Sequence, residues 1–440
     1  KNFKNGLHRY LSKYQYKNAT GEDLWNSIGK VSKKPVKSMM NSWIKQVGFP
    51  LVDASKKNSK LILNQRRFLH ESDKKHQKGL WQIPISIGDD ESISPKLMNK
   101  RTMTLSLQKE ILPIVNPSKK GFLRVKYEEE LLSSLKSPVE EKILNHIDRW
   151  SIQNDLFAIC ISGNEKISTY LDFSKAYNEE QNYLCCTNVA NNLNFLYLLA
   201  FHEPFVDYIK QYAQTFFREV FARLGWDAKK DEKHTDTLLR AYIIMVLGKL
   251  DNYEILEEAN RRFDAHYKKH ELINPNLAET VFSLAAWHGN CDTFQKLVQL
   301  YRKSRSQEEK LRVLAALCYF KDEKLLLKTL KFVLSKEVRS QNLALPITRI
   351  AGNPYGKKIM WPWLKKNWKT LSNKFGQGNP IANRIVSSIS LFAKDTMQKE
   401  INEFFIKNPT PGTEMTLAQT LERIRIHSKF LRQMRSELNN

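Results

Sequence analysis

The chain has 440 residues, 41% of them hydrophobic and 11% aromatic. That is enough for more than one core, because a single core rarely grows beyond ~250–300 residues. Its longest apolar runs, 195–201 and 241–247, fall far short of the ~20 residues a membrane-spanning helix needs, so no membrane span and no membrane partner are expected. The formal charge of +25, from 71 Lys and Arg against 46 Asp and Glu, is spread along the chain. A spread excess reads as a solubilising surface rather than as the phosphate footprint of a nucleic-acid binder.

The first residue is Lys1 and the opening segment is polar, which fits neither a signal peptide nor a natural start; an internal fragment is expected. Cys160, Cys185, Cys186, Cys291 and Cys318 form an odd set without CxxC spacing. This argues against a disulfide framework or a structural zinc site and points to a reducing, cytoplasmic compartment.

Taken in chain order, the first fifty residues read as short helices. Leu7, Tyr10, Leu11 and Tyr14 recur at helical spacing, Leu24, Trp25 and Ile28 follow the Gly21 break, and Met39, Met40, Trp43 and Ile44 make another apolar face. Gly48 and Pro50 stop the pattern. From 51 to 127 the period is two, clearest in Thr102, Met103, Thr104, Leu105, Ser106 and Leu107. Further strands are expected at 61–68, 81–87 and 122–127, separated by the polar stretches 71–78 and 116–120, and together they predict a small β-sandwich.

Beyond Tyr127 the period is helical to the end. Phe205, Ile209, Tyr212, Phe216 and Val220 share one face, and Gly225 stands where that helix would stop. Asn274 before Pro275 is a cap-plus-first-turn signal, and Ser306 with Glu309 is a capping-box pattern; the two starts lie 32 residues apart (306 − 274). Breaks at Gly289-Asn290 and Lys321-Asp322 divide each unit into two helices, and repeated helix pairs predict an α-solenoid with a concave inner surface. The fold class is therefore α+β, mostly α, with 1–52 a helical segment, 53–130 the β-sandwich and 131–440 the solenoid.

Candidate chemistry is sparse. His266 and His270 would lie on one side of a helix, as zinc ligation needs, but Tyr267, Lys268 and Lys269 stand between them. No Glu follows the first His to act as general base, and two lysines repel a cation, so a solvated helix face is expected. Trp361, Leu364, Trp368 and Leu371 fit a core stripe with Lys365, Lys366 and Lys369 on the wet side, rather than a base-stacking surface. Cys185 and Cys186 read as buried structural thiols. With neither a Gly-rich phosphate loop nor a GxSxG elbow, no catalytic and no metal-binding residue is assigned.

An ordered set of landmarks says more than any single motif. Lys34-Pro35-Val36, Met39-Met40, Trp43, Gln46, Gly48 and Pro50 resemble the KPV…MM…W…QxGxP run of M1 zinc aminopeptidases, which joins the end of a thermolysin-like catalytic domain to a β domain. Gln65-Arg66-Arg67-Phe68, Trp81-Gln82-Ile83-Pro84 and the strand from Gly121 through Arg124 and Val125 to Tyr127 are similar to that domain's QxRF, WxIP and GxxRVxY strands. Asp148-Arg149, Asn154-Asp155-Leu156-Phe157-Ala158, Asn353-Pro354-Tyr355-Gly356, Trp361 and Asn367-Trp368 resemble motifs of the family's helical terminal domain.

The resemblance implies that 1–52 is the end of the catalytic domain, and that the HExxH motif, the third zinc ligand, the exopeptidase loop and the transition-state tyrosine belong to polypeptide preceding this chain. It further implies a parent enzyme that uses zinc to release amino-terminal residues from peptides, with this segment as lid and substrate holder, partnered by the catalytic portion and the peptide. The chain by itself is then inactive and binds no metal. Lys357 and Arg384, in or just after the NPxG region, are the candidate substrate-binding residues, for a peptide's carboxy terminus. Cys318-Tyr319 falls where related antigen-trimming enzymes carry a basic residue. Two other readings stay open: a non-catalytic α-solenoid scaffold that binds peptide or protein, and a nucleic-acid-binding helical protein.

Overall fold

A computed structural model of the protein describes residues 1–70, 79–88, 95–107, 112–375 and 380–439; the polar stretch at 71–78 lies outside the described residues. The chain divides into two compact units, Lys1–Ala176 and Tyr177–Asn440.

The first unit opens with α1 (Asn2–Lys13), α2 (Gly21–Ser32) and α3 (Val36–Ile44). A capping box starts α2: Asp23 N–H donates to Thr20 Oγ1, and Thr20 N–H donates to Asp23 Oδ2 at 2.9 Å. Gly6 sets how closely α1 approaches α2, since a Cβ there would sit 2.8 Å from Ile28 Cα. The strands are β1 (Pro50–Lys57), β2 (Lys60–Arg67), β3 (Ile83–Ile85), β4 (Lys96–Met98), β5 (Thr102–Ser106) and β6 (Arg124–Tyr127).

They form a four-stranded sheet of order β5-β2-β1-β6, with β1 and β6 parallel and the other pairs antiparallel, and a two-stranded β3-β4 sheet. Gln65 ties the two together, donating to Trp81 O at 3.0 Å and accepting from Trp81 N–H at 2.8 Å. The strands β1 and β4 are not among the runs picked out above. In β1, Val52 and Ala54 are buried and alternate with the half-buried Asp53 and Ser55. Four helices complete the unit: α4 (Glu129–Ser134), α5 (Lys136–Glu140), α6 (His146–Ile161) and α7 (Ile167–Ser174).

The second unit is built from helices alone among its described residues: α8 (Tyr183–Ala200), α9 (Val206–Leu224), α10 (His234–Lys249), α11 (Tyr253–Lys269), α12 (Pro275–His288), α13 (Cys291–Lys303), α14 (Gln307–Ala316), α15 (Glu323–Leu334), α16 (Ala344–Gly352), α17 (Lys357–Phe375), α18 (Pro380–Ser388), α19 (Asp395–Lys407) and α20 (Glu414–Leu438). The even-numbered helices pack side by side in one row, and the odd-numbered ones cover them. The even row returns on itself. His427 of α20 meets the Phe195 ring of α8 at 5.1 Å, and Arg435 makes a two-pronged ion pair with Glu203 at 2.7 Å just after α8.

A row closes along its shorter circumference, so the even helices are the inner layer. Their sequences show it. In α12 every residue from 280 to 287 is buried, as a helix packed on several sides requires, whereas α13 buries only the Leu297, Val298 and Tyr301 stripe.

The boundary signals act as the local chemistry dictates. Asn274 accepts from Asn276 N–H and Pro275 takes the first helical position, and Gly225 ends α9 at φ +63°. The box at α14 is half made. Ser306 Oγ accepts from Glu309 N–H, but the Glu309 carboxylate turns to Ser304 Oγ at 2.6 Å instead of Ser306 N–H.

Candidate functional site

Because the inner helices all run the same way, the C-terminal ends of α8, α10, α12, α14 and α16 meet at one place, around the loop 353–356. Asn353 is fully buried; its Nδ2 donates to Cys318 O at 2.9 Å and Phe320 O at 3.0 Å, while its Oδ1 accepts from Tyr355 N–H. The Tyr355 ring stands edge-on to Phe201 and Trp287, with centroids 5.1 and 5.6 Å away. Gly356 admits no side chain, since a Cβ would lie 2.2 Å from Ile350 O.

Helix C-termini carry unsatisfied carbonyls and a partial negative charge, and cations answer them here. Lys357 Nζ donates to Leu198 O in the last turn of α8 at 2.6 Å. Asp251, in the left-handed region at φ +60° just past α10, takes Lys321 at 2.5 Å, Lys210 at 2.9 Å and the Trp287 indole N–H at 3.1 Å. Burial opposes its charge, but those three donors hold the carboxyl below its usual range.

Beside this hub lies the arrangement with most chemical consequence. Lys249, the last residue of α10, is 9% exposed. Its ammonium lies 5.3 Å from the Tyr319 ring centroid and has no hydrogen-bond acceptor among the described residues. Burial, and then repulsion from Arg349, pushes its pKa down to about 8. Arg349 of α16 donates to Tyr319 Oη at 2.7 Å and pairs with Glu279 of α12 at 2.7 Å.

Two cations thus flank one tyrosine, and the carboxylate of Glu279, itself partly exposed, is paired with Arg349. An ammonium taken out of water without an acceptor is costly unless an anion completes it, so the cluster suits a carboxylate. It contains no nucleophile with an adjacent base.

The residues singled out in the sequence fall as follows. Lys357 is engaged with Leu198 O, and burial lowers its pKa to about 8. Arg384 is exposed on α18; no hydrogen bond or ion pair joins it to Lys357 among the described residues. His266 and His270 do not share a helix face, because α11 ends at Lys269 and His270 adopts φ +57° as its left-handed cap, while the His266 ring nitrogen bonds Glu271 O at 2.8 Å. Trp361, Leu364, Trp368 and Leu371 are buried in a stripe with the intervening lysines outside. Cys185 and Cys186 are buried.

Among the described residues no cluster of three or more His, Cys, Asp or Glu is placed to hold a metal ion. The zinc implied for the parent enzyme therefore finds no fitting donor set in them. Lys249, Tyr319, Arg349 and Glu279 were not singled out as a group. The available signal was a charged residue inside an apolar stripe: Lys249 follows the 241–247 run after Gly248 alone, and Arg349 sits between Ile347 and Ile350.

Comparison with known proteins agrees with the ordered landmarks. The family described as ERAP1-like C-terminal domain matches residues 112–426, and the Peptidase family M1 domain matches residues 1–43. Aminopeptidase M1 of Arabidopsis thaliana is 30% identical over 99% of this chain and 52% of its own length. Probable aminopeptidase 2 of Sulfurisphaera tokodaii is 27% identical over 96% and 51%, and the alanine/arginine aminopeptidase of Saccharomyces cerevisiae is 25% identical over 98% and 51%. The chain spans about half the length of the curated relatives it matches.

Proposed function

Since this chain belongs to the ERAP1-like C-terminal domain family and corresponds to the C-terminal region of M1 aminopeptidases, we propose that it serves a zinc-dependent aminopeptidase as the part that encloses the active site and holds the peptide. The stacked helix pairs act as a solenoid whose inner row faces the substrate. The carboxy terminus of the peptide is drawn to the cluster of Lys249 and Arg349 at the convergence of the inner helix ends.

The observation that carries this reading is the buried Lys249 ammonium, which has a tyrosine ring and a guanidinium beside it but no acceptor among the described residues. A substrate carboxylate supplies that acceptor and pairs with Arg349 in the charge-assisted geometry that makes such bonds strong. Arg384, exposed on α18, is a second contact in the proposal. Lys357 contributes by closing the C-terminus of α8 against the loop that shapes the site.

The chain by itself supplies no metal donors in this reading and hydrolyses nothing. Release of an aminoacyl reporter by the purified 440-residue chain would contradict that part. For the site, the full-length protein is assayed with one peptide series in free-acid and carboxamide forms. Lys249→Ala with Arg349→Ala should raise KM for the free acids by roughly tenfold or more, the equivalent of ~1.4 kcal/mol, and leave the carboxamides nearly unchanged. Equal effects on both forms would remove the carboxylate from the proposal.

A further inference from the structure

Folding gathers on one face positive charge that the sequence spreads. The outer helices α15 and α17 both pack on α16, and Lys374 Nζ donates to Leu334 O at 3.0 Å where their C-terminal ends meet. α15 carries three lysines against Glu323, and α17 carries six lysines and no acid. Each helix turns its apolar stripe to the inner row, so the exposed lysines of both look outward. Three of the nine find oxygen acceptors: Lys357 on Leu198 O, Lys365 on Glu400 and Lys374 on Leu334 O. Lys328 Nζ reaches Cys291 Sγ at 3.9 Å. Lys324, Lys331, Lys358, Lys366 and Lys369 are exposed and make neither a hydrogen bond nor an ion pair among the described residues.

A merely solvated helix face mixes signs, as α11 does: its Glu258 pairs with Arg261 and Arg262, and its Asp264 with Lys268. On α15 and α17 the same spacings hold like charges. Lys324 and Lys328, and Lys365 and Lys369, stand four residues apart; Lys328 and Lys331, and Lys366 and Lys369, stand three apart. Like charges so placed destabilise a helix, and an anionic partner removes that cost. Neither helix has an arginine to read a base edge or a fully exposed ring to stack on one. Leu327, 42% exposed among the α15 lysines, is instead an apolar group that a phosphate backbone leaves uncovered and a protein side chain covers.

We propose that this lysine wall docks an acidic segment of a partner protein, its carboxylates toward Lys324, Lys331, Lys366 and Lys369 and an apolar side chain on Leu327. At 1.5 Å per residue the wall runs about 10 Å from Lys324 to Lys331 on α15 and about 16 Å from Lys358 to Lys369 on α17, room for two or three turns of a bound helix. Carboxylates on successive turns of such a segment stand ~5–6 Å apart, the spacing of the lysines they meet. Because the wall is open to water, the attraction is screened by salt and acts chiefly by steering the partner into place.

Fluorescence anisotropy with the full-length protein tests the proposal, using as probes a short labelled amphipathic peptide of Glu and Leu, the same peptide with Gln for every Glu, and a short DNA duplex. The Glu peptide should bind, less tightly as salt is raised, and the Gln peptide should bind roughly tenfold more weakly or worse. Lys331→Glu, Lys366→Glu and Lys369→Glu together should cost at least a similar factor, and Leu327→Ser a smaller one. These side chains are exposed, so the variants keep the fold, which circular dichroism checks. Lys249→Ala with Arg349→Ala should leave binding of the Glu peptide unchanged, which separates the wall from that cluster. No binding of the Glu peptide, equal binding of its Gln form, indifference to the triple substitution or to Leu327→Ser, or loss of binding with Lys249 and Arg349 overturns the proposal. So does tighter binding of the duplex than of the Glu peptide, which would make the wall a nucleic-acid surface.

Discussion

Replacing Asn353 by Ala should destabilise the Tyr177–Asn440 unit more than any surface change, because one side chain there closes two helix ends and a loop. The substitution deletes three hydrogen bonds at 2.9, 3.0 and 3.0 Å and leaves Cys318 O and Phe320 O buried without a donor, and Tyr355 N–H without its acceptor. With about 1 kcal/mol net for each bond and a further penalty for groups left unsatisfied, the loss is about 3–4 kcal/mol. At roughly 2–4 °C per kcal/mol for a unit of this size, the transition should fall by about 10 °C. Asn353→Asp should be worse at neutral pH, since an ionised carboxylate only accepts and would face two carbonyls. Protonating it restores one donor, so the Asp variant should recover part of its stability in acid while the Ala variant does not. Differential scanning calorimetry of the three proteins checks this. A Tm for Asn353→Ala within ~2 °C of the wild type would mean that the loop at 353–356 is not what fastens the inner helix ends.

Two further substitutions read buried charge. Lys249 titrates at about 8 in the fold against 10.5 when free. The unfolded chain therefore binds more protons between those values, and this group's contribution to stability rises across that window. Lys249→Met should accordingly be more stable than wild type at pH 7, by about 1–2 kcal/mol once the lost cation–π contact is set against the relieved desolvation; the gap should close by pH ~10.5, and a less stable variant in urea titrations at pH 7 would refute the account. Glu232 behaves oppositely. Hydrogen bonds from Arg240 foremost, against the cost of burial, hold its carboxyl at about 2 instead of 4.5, so its stabilisation is complete above pH 4.5 and disappears as pH falls through 2. Glu232→Gln leaves the Arg240 side chain, 2% exposed, without its counter-charge and should cost about 3 kcal/mol at pH 7, with the difference from wild type shrinking toward pH 2 in the same urea assay.

The parts of this fold that sequence reveals are those where one residue does a job its neighbours cannot share. Gln65 bridges two sheets through both ends of one amide, Arg124 and Asp155 join strand to helix, and Asn353 closes two carbonyls at once. Each is a short word that can be read without knowing what it touches. Helix periodicity is equally local, which is why the stripe of Trp361, Leu364, Trp368 and Leu371 could be separated from its lysines by counting. Backbone choices at element ends are less accessible. His270 stops α11 by adopting a left-handed conformation, a choice the spacing of two histidines does not encode, and Glu309 finds Ser304 nearer than the amide its pattern names.

The candidate site is hidden for a different reason. Lys249, Glu279, Tyr319 and Arg349 come from four separate segments, and each taken singly looks like a charge or a ring that a helix end would tolerate. What makes them a site is convergence: inner helices that run parallel must bring their C-terminal carbonyls to one rim, that rim collects cations, and the closing of the row decides which of them lose water. Lys210, Lys321 and Lys357 find acceptors there; among the described residues Lys249 does not. The distinction between a cation that caps the fold and one left for a ligand is therefore a property of how the row closes.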